Sequence, residues 1–452
     1  MILMGNLTSG ESRTSIAAMS NSPTTKNKLV RAIGRWSLTA LTLNVVIGSG
    51  IFGLPAIITR LLGVFGPWAY VVAAAGVGVI TACFAEVASQ FPEAGGPYLY
   101  TRVAYGQFAG IQVAWLALLV RLTSGAASAN IFIQYLSGFL PVVHRPLVRG
   151  LVLTLLIGGI AAINIVGVKA GASLSSFFAA AKIVPLVIFI VAGLTLLGSA
   201  TASPLTTAGA MVPGPKEWFS AVLLVVFALS GFEAALFPMG EARDTRHDAP
   251  FALFASLIIC VTLYALIQVV VLRALGLNPV GDRPLAEAAR VFLGRGGAAL
   301  MEAGAMLSVY GHLSSMILNS PRLPFALAER GDFPSVFAAV NQRFRTPHVA
   351  IASFTLVMFA LALLGTFWGN AMLSAVARLF TYGAVCASVM TLRRREPSAD
   401  AFRLPAGPLV SGLGLAFVLA LVIQMGKREL MAIGGTMVVA LLNWMWARQE
   451  TT

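Results

Sequence analysis

Hydrophobic residues along this chain fall into long blocks separated by short polar segments. Several blocks exceed the ~20 residues that a helix needs to cross the hydrocarbon core of a membrane. The alternation of apolar and polar residues that is typical of transmembrane strands is absent. The pattern therefore predicts an all-α integral membrane protein. Its twelve transmembrane helices are expected at residues 37–62, 67–91, 107–139, 148–166, 174–199, 217–240, 250–275, 286–318, 348–367, 370–391, 408–425 and 430–447.

The eighth predicted span is too long for one perpendicular crossing. We expect it to be tilted or to continue into the cytoplasm.

Composition agrees with a membrane protein. The 452 residues are 58% hydrophobic and only 11% charged, and the mean hydropathy is +0.85. A soluble domain of this length needs a more charged surface. The formal net charge of +14 would suggest nucleic acid in a soluble protein, but here we expect the positive charges in short loops on one side of a membrane, and no nucleic-acid partner.

The distribution of Lys and Arg predicts the orientation. With the N-terminus inside, the inner segments carry the larger share of these residues, including Arg393, Arg394 and Arg395, whereas the outer loops carry fewer. Both termini are therefore expected in the cytoplasm. Residues 1–35 are expected to form a disordered cytoplasmic tail, because they contain no apolar core of a signal peptide. The compact architecture suggests a bacterial inner membrane.

Two of the predicted membrane helices carry residues that interrupt helices. The first span has Gly48, Gly50, Gly53 and Pro55 near its middle, and the sixth reads FALSGFEAA, with a central glycine followed by Glu233. Glycine costs ~1 kcal/mol relative to alanine in a helix interior, and proline costs more. Close helix packing through small residues is the alternative explanation.

The spacing of the two interruptions favours a functional explanation. They fall in the first helices of two five-helix units, residues 36–200 and 216–392, and two further helices follow at residues 405–448. Inverted repeats whose first helices are broken near the midplane are typical of transporters. The freed N–H groups attract a carboxylate and the freed carbonyls attract an ammonium group. An amino acid carries both groups.

Five segments resemble, in order, the amino acid–polyamine–organocation (APC) transporters. They are GSGIFGLPA in the first span, EVASQFPEAGGPY from Glu86 to Tyr98, FALSGFEAA in the sixth span, ALAERGDFP from Ala326 to Pro334, and RFRTPH from Arg343 to His348. The resemblance runs from about residue 36 to residue 447. It implies the LeuT-like fold, a 5+5 inverted repeat with two additional helices and with helices 1 and 6 broken.

The resemblance also implies substrate-binding positions. The backbone amides of Ser49 and Gly50, followed in the motif by Ile51, match those that hold the substrate carboxylate. Gly48 and Gly53 are expected to let the backbone unwind. The carbonyls that match acceptors of the substrate amino group are those of Val46, Phe227 and Ser230. The ring of Phe227 also matches an aromatic that closes over the bound substrate, and core packing is the alternative explanation for it.

Two charged residues inside the spans are candidates for ion coupling. Glu233 could relay a proton or fix the unwound segment by a structural hydrogen bond. Lys182 resembles the lysine of sodium-independent relatives, whose ammonium group occupies the region where sodium-coupled relatives bind an ion. A lysine reaching the membrane interface is the alternative, and Ser314 and Ser315 could still help to bind sodium.

Span three aligns with the family pattern without gaps, which puts Arg121 in the central cavity. An arginine there would repel cationic substrates and would either accept an acidic side chain or pair with Glu233; alternatively, it points toward the inner interface. Arg378 raises the same question. Met316 fits an apolar side-chain pocket. Ser124, Gly125 and Ser374 are further cavity candidates, although helix packing explains each of them as well.

The expected function is secondary active transport of a neutral or acidic amino acid by alternating access. It is expected to be independent of sodium, by proton symport or exchange. The alternatives are a cationic amino acid or polyamine exchanger and an amino acid sensor that does not transport.

No enzyme activity, cofactor or metal site is expected: Cys83, Cys260 and Cys386 form no CxxC pair, and P-loop and paired catalytic groups are missing. The outer loop after span three lacks a cysteine for linkage to a glycoprotein subunit, so no obligate partner protein is expected.

Overall fold

The computed structural model describes residues 34–91, 96–166, 172–197, 212–233, 245–277, 281–394 and 402–450. Within these residues all regular secondary structure is helical and there is no strand. The all-α prediction is therefore confirmed. The predicted N-terminal tail lies almost entirely outside the described residues.

The main helices, in chain order, are α1 (Arg35–Val46), α2 (Gly50–Leu62), α3 (Gly66–Ser89), α4 (Gly96–Tyr105), α5 (Gln107–Leu136), α6 (Pro146–Leu153), α7 (Gly159–Val166), α8 (Ala172–Leu196), α9 (Pro215–Leu229), α10 (Thr245–Leu275), α11 (Pro284–Asn319), α12 (Arg322–Glu329), α13 (His348–Leu364), α14 (Phe367–Arg394), α15 (Gly407–Val422) and α16 (Lys427–Glu450). A short π-helical turn, Thr154–Gly158, joins α6 to α7.

Many of these helices are apolar enough to cross a membrane. By length and composition, six helical stretches of the described chain qualify, and shorter apolar helices cover parts of further predicted spans. The six are Gly50–Ser89, Gln107–Leu136, Pro146–Val166, Pro250–Leu275, Phe367–Arg394 and Lys427–Gln449; the shorter ones are Lys182–Leu196, His348–Leu364 and Gly407–Val422.

The first predicted span is interrupted where its glycines lie. Helix α1 ends at Val46 and α2 begins at Gly50, so three residues between them leave the helix. In the sixth span, α9 ends at Leu229, and Gly231 follows with a φ of 107°, which favours glycine. The rest of the sixth span, residues 234–240, lies outside the described part of the chain.

The eighth predicted span accommodates its excess length by a break in the helix, which differs from the expectation. Helix α11 contains a non-helical residue, Gly294, with φ 66° and ψ −157°. This break separates a first segment of about three turns from the rest. The excess length therefore lies at the N-terminal end of α11, and a change of direction there accommodates it.

A run of small residues lets helix α5 pack in the middle of the molecule. Residues 124–129, SGAASA, are all buried, and α5 contacts α11, α13, α14 and α16. Small side chains allow helix backbones to approach closely, which is how membrane helices gain van der Waals contact. The ends of the interrupted helices, α2 and α9, also contact each other.

Candidate functional site

A cavity of about 600 Å³ lies where the interrupted helices meet. Its wall is formed by the break between α1 and α2, the end of α9, and side chains of α5, α11, α12 and α14. It contains most of the predicted site residues, namely Val46, Gly48, Ser49, Gly50, Arg121, Ser124, Lys182, Phe227, Ser230, Glu233, Met316 and Arg378.

The first break presents backbone groups to this cavity. As the first residues of α2, Gly50 and Ile51 have N–H groups that no preceding turn of the helix accepts. The hydroxyl of Ser128 on α5 donates to the hydroxyl of Ser49 at 2.9 Å and ties the break to α5. The Ile51 side chain is buried outside the cavity wall, so Ile51 can contribute only through its backbone.

The carbonyl of Val46 is already occupied. It accepts hydrogen bonds from the Tyr264 hydroxyl at 3.2 Å and from the Gly48 N–H at 2.8 Å. A carbonyl oxygen has two lone pairs. An ammonium group could therefore use this oxygen only by displacing one of the two donors, and the predicted role of Val46 stays a prediction.

Close approach explains two of the glycines. A Cβ on Gly50 would lie 2.8 Å from the Cβ of Ala228, so the two interrupted helices touch at this point. A Cβ on Gly48 would lie 3.2 Å from the ring of His312. Either contact would force a neighbour to move, because carbon atoms pack best at about 3.5–4.0 Å.

The expectation that Gly53 lets the backbone unwind is wrong. Gly53 lies inside the regular helix α2, and a Cβ there would come within 2.4 Å of the Phe367 ring and 2.5 Å of Ile131. Gly53 is therefore required by packing of α2 against its neighbours rather than by the break.

The second break follows α9. The Ser230 hydroxyl and the Ser230 N–H both donate hydrogen bonds to the Phe227 carbonyl, at 2.5 Å and 3.4 Å. That carbonyl is therefore occupied. The Phe227 ring lines the cavity and packs edge to face on Phe367, with 6.3 Å between ring centroids. It therefore has both the cavity position and the packing role that the sequence left open.

Glu233 is fixed by α14. Its carboxylate forms an ion pair with Arg378, accepts from the Tyr382 hydroxyl at 3.2 Å and accepts from the Gly231 N–H at 3.1 Å. The Arg378 side chain is only 6% exposed and the Glu233 side chain is 18% exposed. A charge-assisted contact between buried groups is strong, so the pair ties the second break to α14.

Lys182 on α8 contacts the end of α1. Its side chain is buried, and Nζ donates to the Asn44 carbonyl at 2.8 Å. The last carbonyls of a helix have no partner within the helix, and a cation at this end is favoured by the helix dipole. Lys182 therefore lies directly beside the first break, and the alternative of a lysine reaching the membrane interface is not what the structure shows.

One face of α5 carries Arg121 into the cavity. Ala117, Val120, Arg121 and Ser124 all line it, as the spacing of a helix face requires. Arg121 lies within electrostatic range of Glu233 and Arg378. The position agrees with the cavity register expected from the sequence. Met316 also lines the cavity, and its sulfur lies beside Gly125 of α5.

Besides Ile51, the predicted residues Gly125 and Ser374 lie outside the cavity wall. A Cβ on Gly125 would meet the sulfur atoms of Met358 and Met316 at 2.3 Å and 3.1 Å, and the buried Ser374 hydroxyl donates to the Val120 carbonyl at 3.1 Å. Both residues therefore have a helix-packing environment, which was the alternative explanation for them.

Several polar cavity residues had no role assigned from the motifs, among them Asn44, His312 and Tyr382. The Oδ1 atom of Asn44 is buried without a hydrogen-bond partner in the described part of the chain. An unsatisfied buried acceptor costs free energy, and Asn44 lies in the cavity wall next to the first break. A polar residue three positions before the interruption was the only sequence signal.

A helical protein with a cavity between an interrupted apolar helix and the end of a second one is consistent with a membrane transporter. The chain belongs to the amino acid permease family, which it matches over residues 33–444. The resemblance to amino acid permeases of the APC type is thus confirmed. The chain is an integral membrane protein of a family of amino acid transporters, not of enzymes.

Several relatives are about 25% identical to this chain over most of its length. The chain is 27% identical over 418 residues to the serine/threonine exchanger SteT of Bacillus subtilis (strain 168), covering 87% of this chain and 90% of the relative. It is 25% identical over 422 residues to the branched-chain amino acid permease BcaP of the same organism, with 89% of each chain covered. A putative arginine/ornithine antiporter of that organism is 26% identical over 339 residues, 69% of this chain and 72% of the relative.

Proposed function

We propose that this protein is a secondary active transporter that moves amino acids across the membrane by alternating access. The observation that carries the proposal is the cavity between the two breaks. It brings together the N–H groups at the start of α2, which have no acceptor within the helix, and the C-terminal end of α9. A carboxylate fits the N–H groups. The Ser230 carbonyl, at the end of α9 in the cavity wall, is the acceptor that we assign to the ammonium group of the same substrate.

The architecture of the proposal is the LeuT-like 5+5 inverted repeat with twelve membrane helices. The first repeat comprises residues 36–200, the second residues 216–392, and the last two helices residues 405–448. We assign both termini to the cytoplasm and the protein to a bacterial inner membrane. Arg322 and Arg330, at one end of the cavity, then belong to the inner side by the positive-inside rule, so this conformation is open to the cytoplasm.

Transport is proposed to be independent of sodium. In broken-helix transporters, carbonyls of the unwound segments coordinate the coupling cation. Here the ammonium group of Lys182 already holds the Asn44 carbonyl beside the first break at 2.8 Å. A positive charge at this place opposes a sodium ion nearby. Coupling is then by proton symport or by exchange, and Glu233 and Lys182 are the candidate coupling residues.

The cavity favours a neutral or acidic substrate. Arg121 and Arg378 both line it, and like charges raise the free energy of a cationic substrate. The second candidate is a cationic amino acid or polyamine exchanger, which the similarity to a putative arginine/ornithine antiporter favours. That candidate requires Glu233 to be released from Arg378 to receive the substrate. No obligate protein subunit is proposed.

The test is uptake by the purified full-length protein in liposomes. Labelled amino acids of each charge class are supplied with and without a sodium gradient, at two external pH values. We expect uptake of a neutral or acidic amino acid that a sodium gradient does not change. Uptake restricted to arginine, lysine or polyamines would support the second candidate, and binding without transport would support a sensor.

A further inference from the structure

The charged residues along the cavity are nearly all cations. Among the lining residues that the structure describes, the cationic side chains belong to Arg121, Lys182, Arg322, Arg330 and Arg378, and the only carboxylate is that of Glu233. Glu233 is paired with Arg378, so the carboxylate and one arginine offset each other. The described lining residues therefore carry four more cationic side chains than carboxylates.

A cavity with low-dielectric walls concentrates the field of such charges, and therefore attracts solutes of the opposite sign. Neutral amino acids carry one ammonium and one carboxylate group, which the two breaks already match. They leave the excess positive charge without a partner in the substrate. A substrate with a second acidic group supplies that partner.

Building on the proposed transport function, we propose that the substrate carries net negative charge, as an acidic amino acid does, and that Arg121 binds its second acidic group. The other cations have different positions. Lys182 holds the Asn44 carbonyl, Arg378 holds Glu233, and Arg322 and Arg330 are exposed at the mouth. Arg121 is the lining arginine that lies between the mouth and the breaks.

The position of Arg121 along α5 fits this role. Ser128 marks the level of the first break, because its hydroxyl contacts Ser49. Arg121 precedes Ser128 by two helical turns, or roughly 10 Å along the axis. A substrate whose α-carboxylate rests on the break and whose side chain points toward the mouth extends along this interval, and the long arginine side chain spans the rest. Arginine is suited to a carboxylate because it offers two parallel N–H donors.

The basic mouth has a complementary role in this proposal. Arg322 and Arg330 lie at the end of the cavity that we assign to the cytoplasm. Exposed charges of this kind raise the rate at which an anion enters and are screened by salt. We therefore expect them to affect association rather than selectivity.

The test compares substrates that differ only in charge. Liposomes containing the full-length protein are loaded with unlabelled solute, and entry of labelled L-glutamate, L-aspartate, L-glutamine, L-asparagine and L-arginine is measured. We expect kcat/KM for glutamate to exceed that for glutamine by about tenfold or more, which corresponds to about 1.4 kcal/mol. Equal or faster entry of glutamine, or entry of other neutral amino acids alone, would overturn the inference and leave the proposed transport function intact.

Variants then test Arg121 itself. Arg121→Gln should lower the glutamate-to-glutamine ratio about tenfold, mainly through KM, while glutamine entry persists. Arg121→Lys should keep much of the ratio because it keeps the charge. The matched control is Arg290→Gln, an exposed arginine of α11 outside the cavity wall, which should leave the ratio unchanged. An unchanged ratio in Arg121→Gln would overturn the role of Arg121.

A binding measurement separates the inference from the proposed transport function. If no amino acid enters the liposomes, the melting temperature of the purified protein is measured with glutamate and with glutamine. A larger stabilisation by glutamate would support the anionic site although transport had failed. Equal stabilisation, or none, would overturn the inference as well.

Discussion

The contact between the two interrupted helices predicts that Gly50→Ala impairs both stability and transport. A Cβ at residue 50 would lie 2.8 Å from the Ala228 Cβ and 2.9 Å from the Ala228 Cα. Carbon atoms pack best at ~3.5 Å or more, so the helices must separate by roughly 0.7 Å. The second contact is with backbone, which cannot rotate away. Overpacking of this kind costs about 1–3 kcal/mol.

Transport should respond more strongly than stability, because the same contact joins the two segments that we assign to substrate binding. We expect the initial rate of uptake into liposomes to fall about tenfold or more, and the melting temperature of the purified protein to fall as well. Ala228→Gly in the same chain should restore part of both, because it removes one of the two clashing atoms.

Gly434→Ala is the matched control, because a Cβ at residue 434 of α16 meets nothing within 4 Å. It should leave transport unchanged. Uptake and melting temperature at the original values in Gly50→Ala would refute the close approach of α2 and α9.

Three further predictions concern buried charges. Arg378→Met should destabilise the protein by about 3–5 kcal/mol, because it leaves the Glu233 carboxylate without its cation, and adding Glu233→Gln should recover much of this in thermal unfolding. Lys182→Ala should abolish uptake or make it sensitive to a sodium gradient, and a folded variant with unchanged, sodium-independent uptake would contradict the assignment of Lys182. Asp332→Asn should lower the melting temperature, because the fully buried carboxylate binds Arg102, Tyr98 and Gln107 together. The control Arg343→Gln changes an exposed residue and should leave the melting temperature unchanged. Equal melting temperatures of the two variants would argue against this network.

The helices could be predicted from the sequence because the signal is local. Long apolar blocks set the spans, and the glycines near Gly50 and Gly231 marked the break between α1 and α2 and the end of α9, since a missing side chain weakens a helix wherever it lies. The low helix propensity of glycine did not explain Gly53. This glycine is required because Phe367, on a helix that is remote in sequence, packs closely against it.

The partners of the site residues could not be predicted in this way. Glu233 and Arg378 are 145 residues apart, and Lys182 and Asn44 are 138 residues apart. Glu233, Arg378 and Lys182 were candidates because a charge inside a membrane span is costly. Only the packing of α1 with α8 and the approach of α14 to the end of α9 decide which groups they meet. His312 carried no motif at all, and the packing of α11 beside Gly48 places it in the cavity wall.

The central claim is that amino acids bind in the cavity between the two interrupted helices, and substrate protection of a cysteine tests it most directly. Ser315 is exposed, lines the cavity and lies one turn from His312, while the three native cysteines are buried. We predict that a transported amino acid slows alkylation of Ser315→Cys by a small thiol reagent, but not of Ser335→Cys, which is exposed outside the cavity wall. Alkylation of Ser315→Cys at the same rate with and without that amino acid would contradict the assignment of the site.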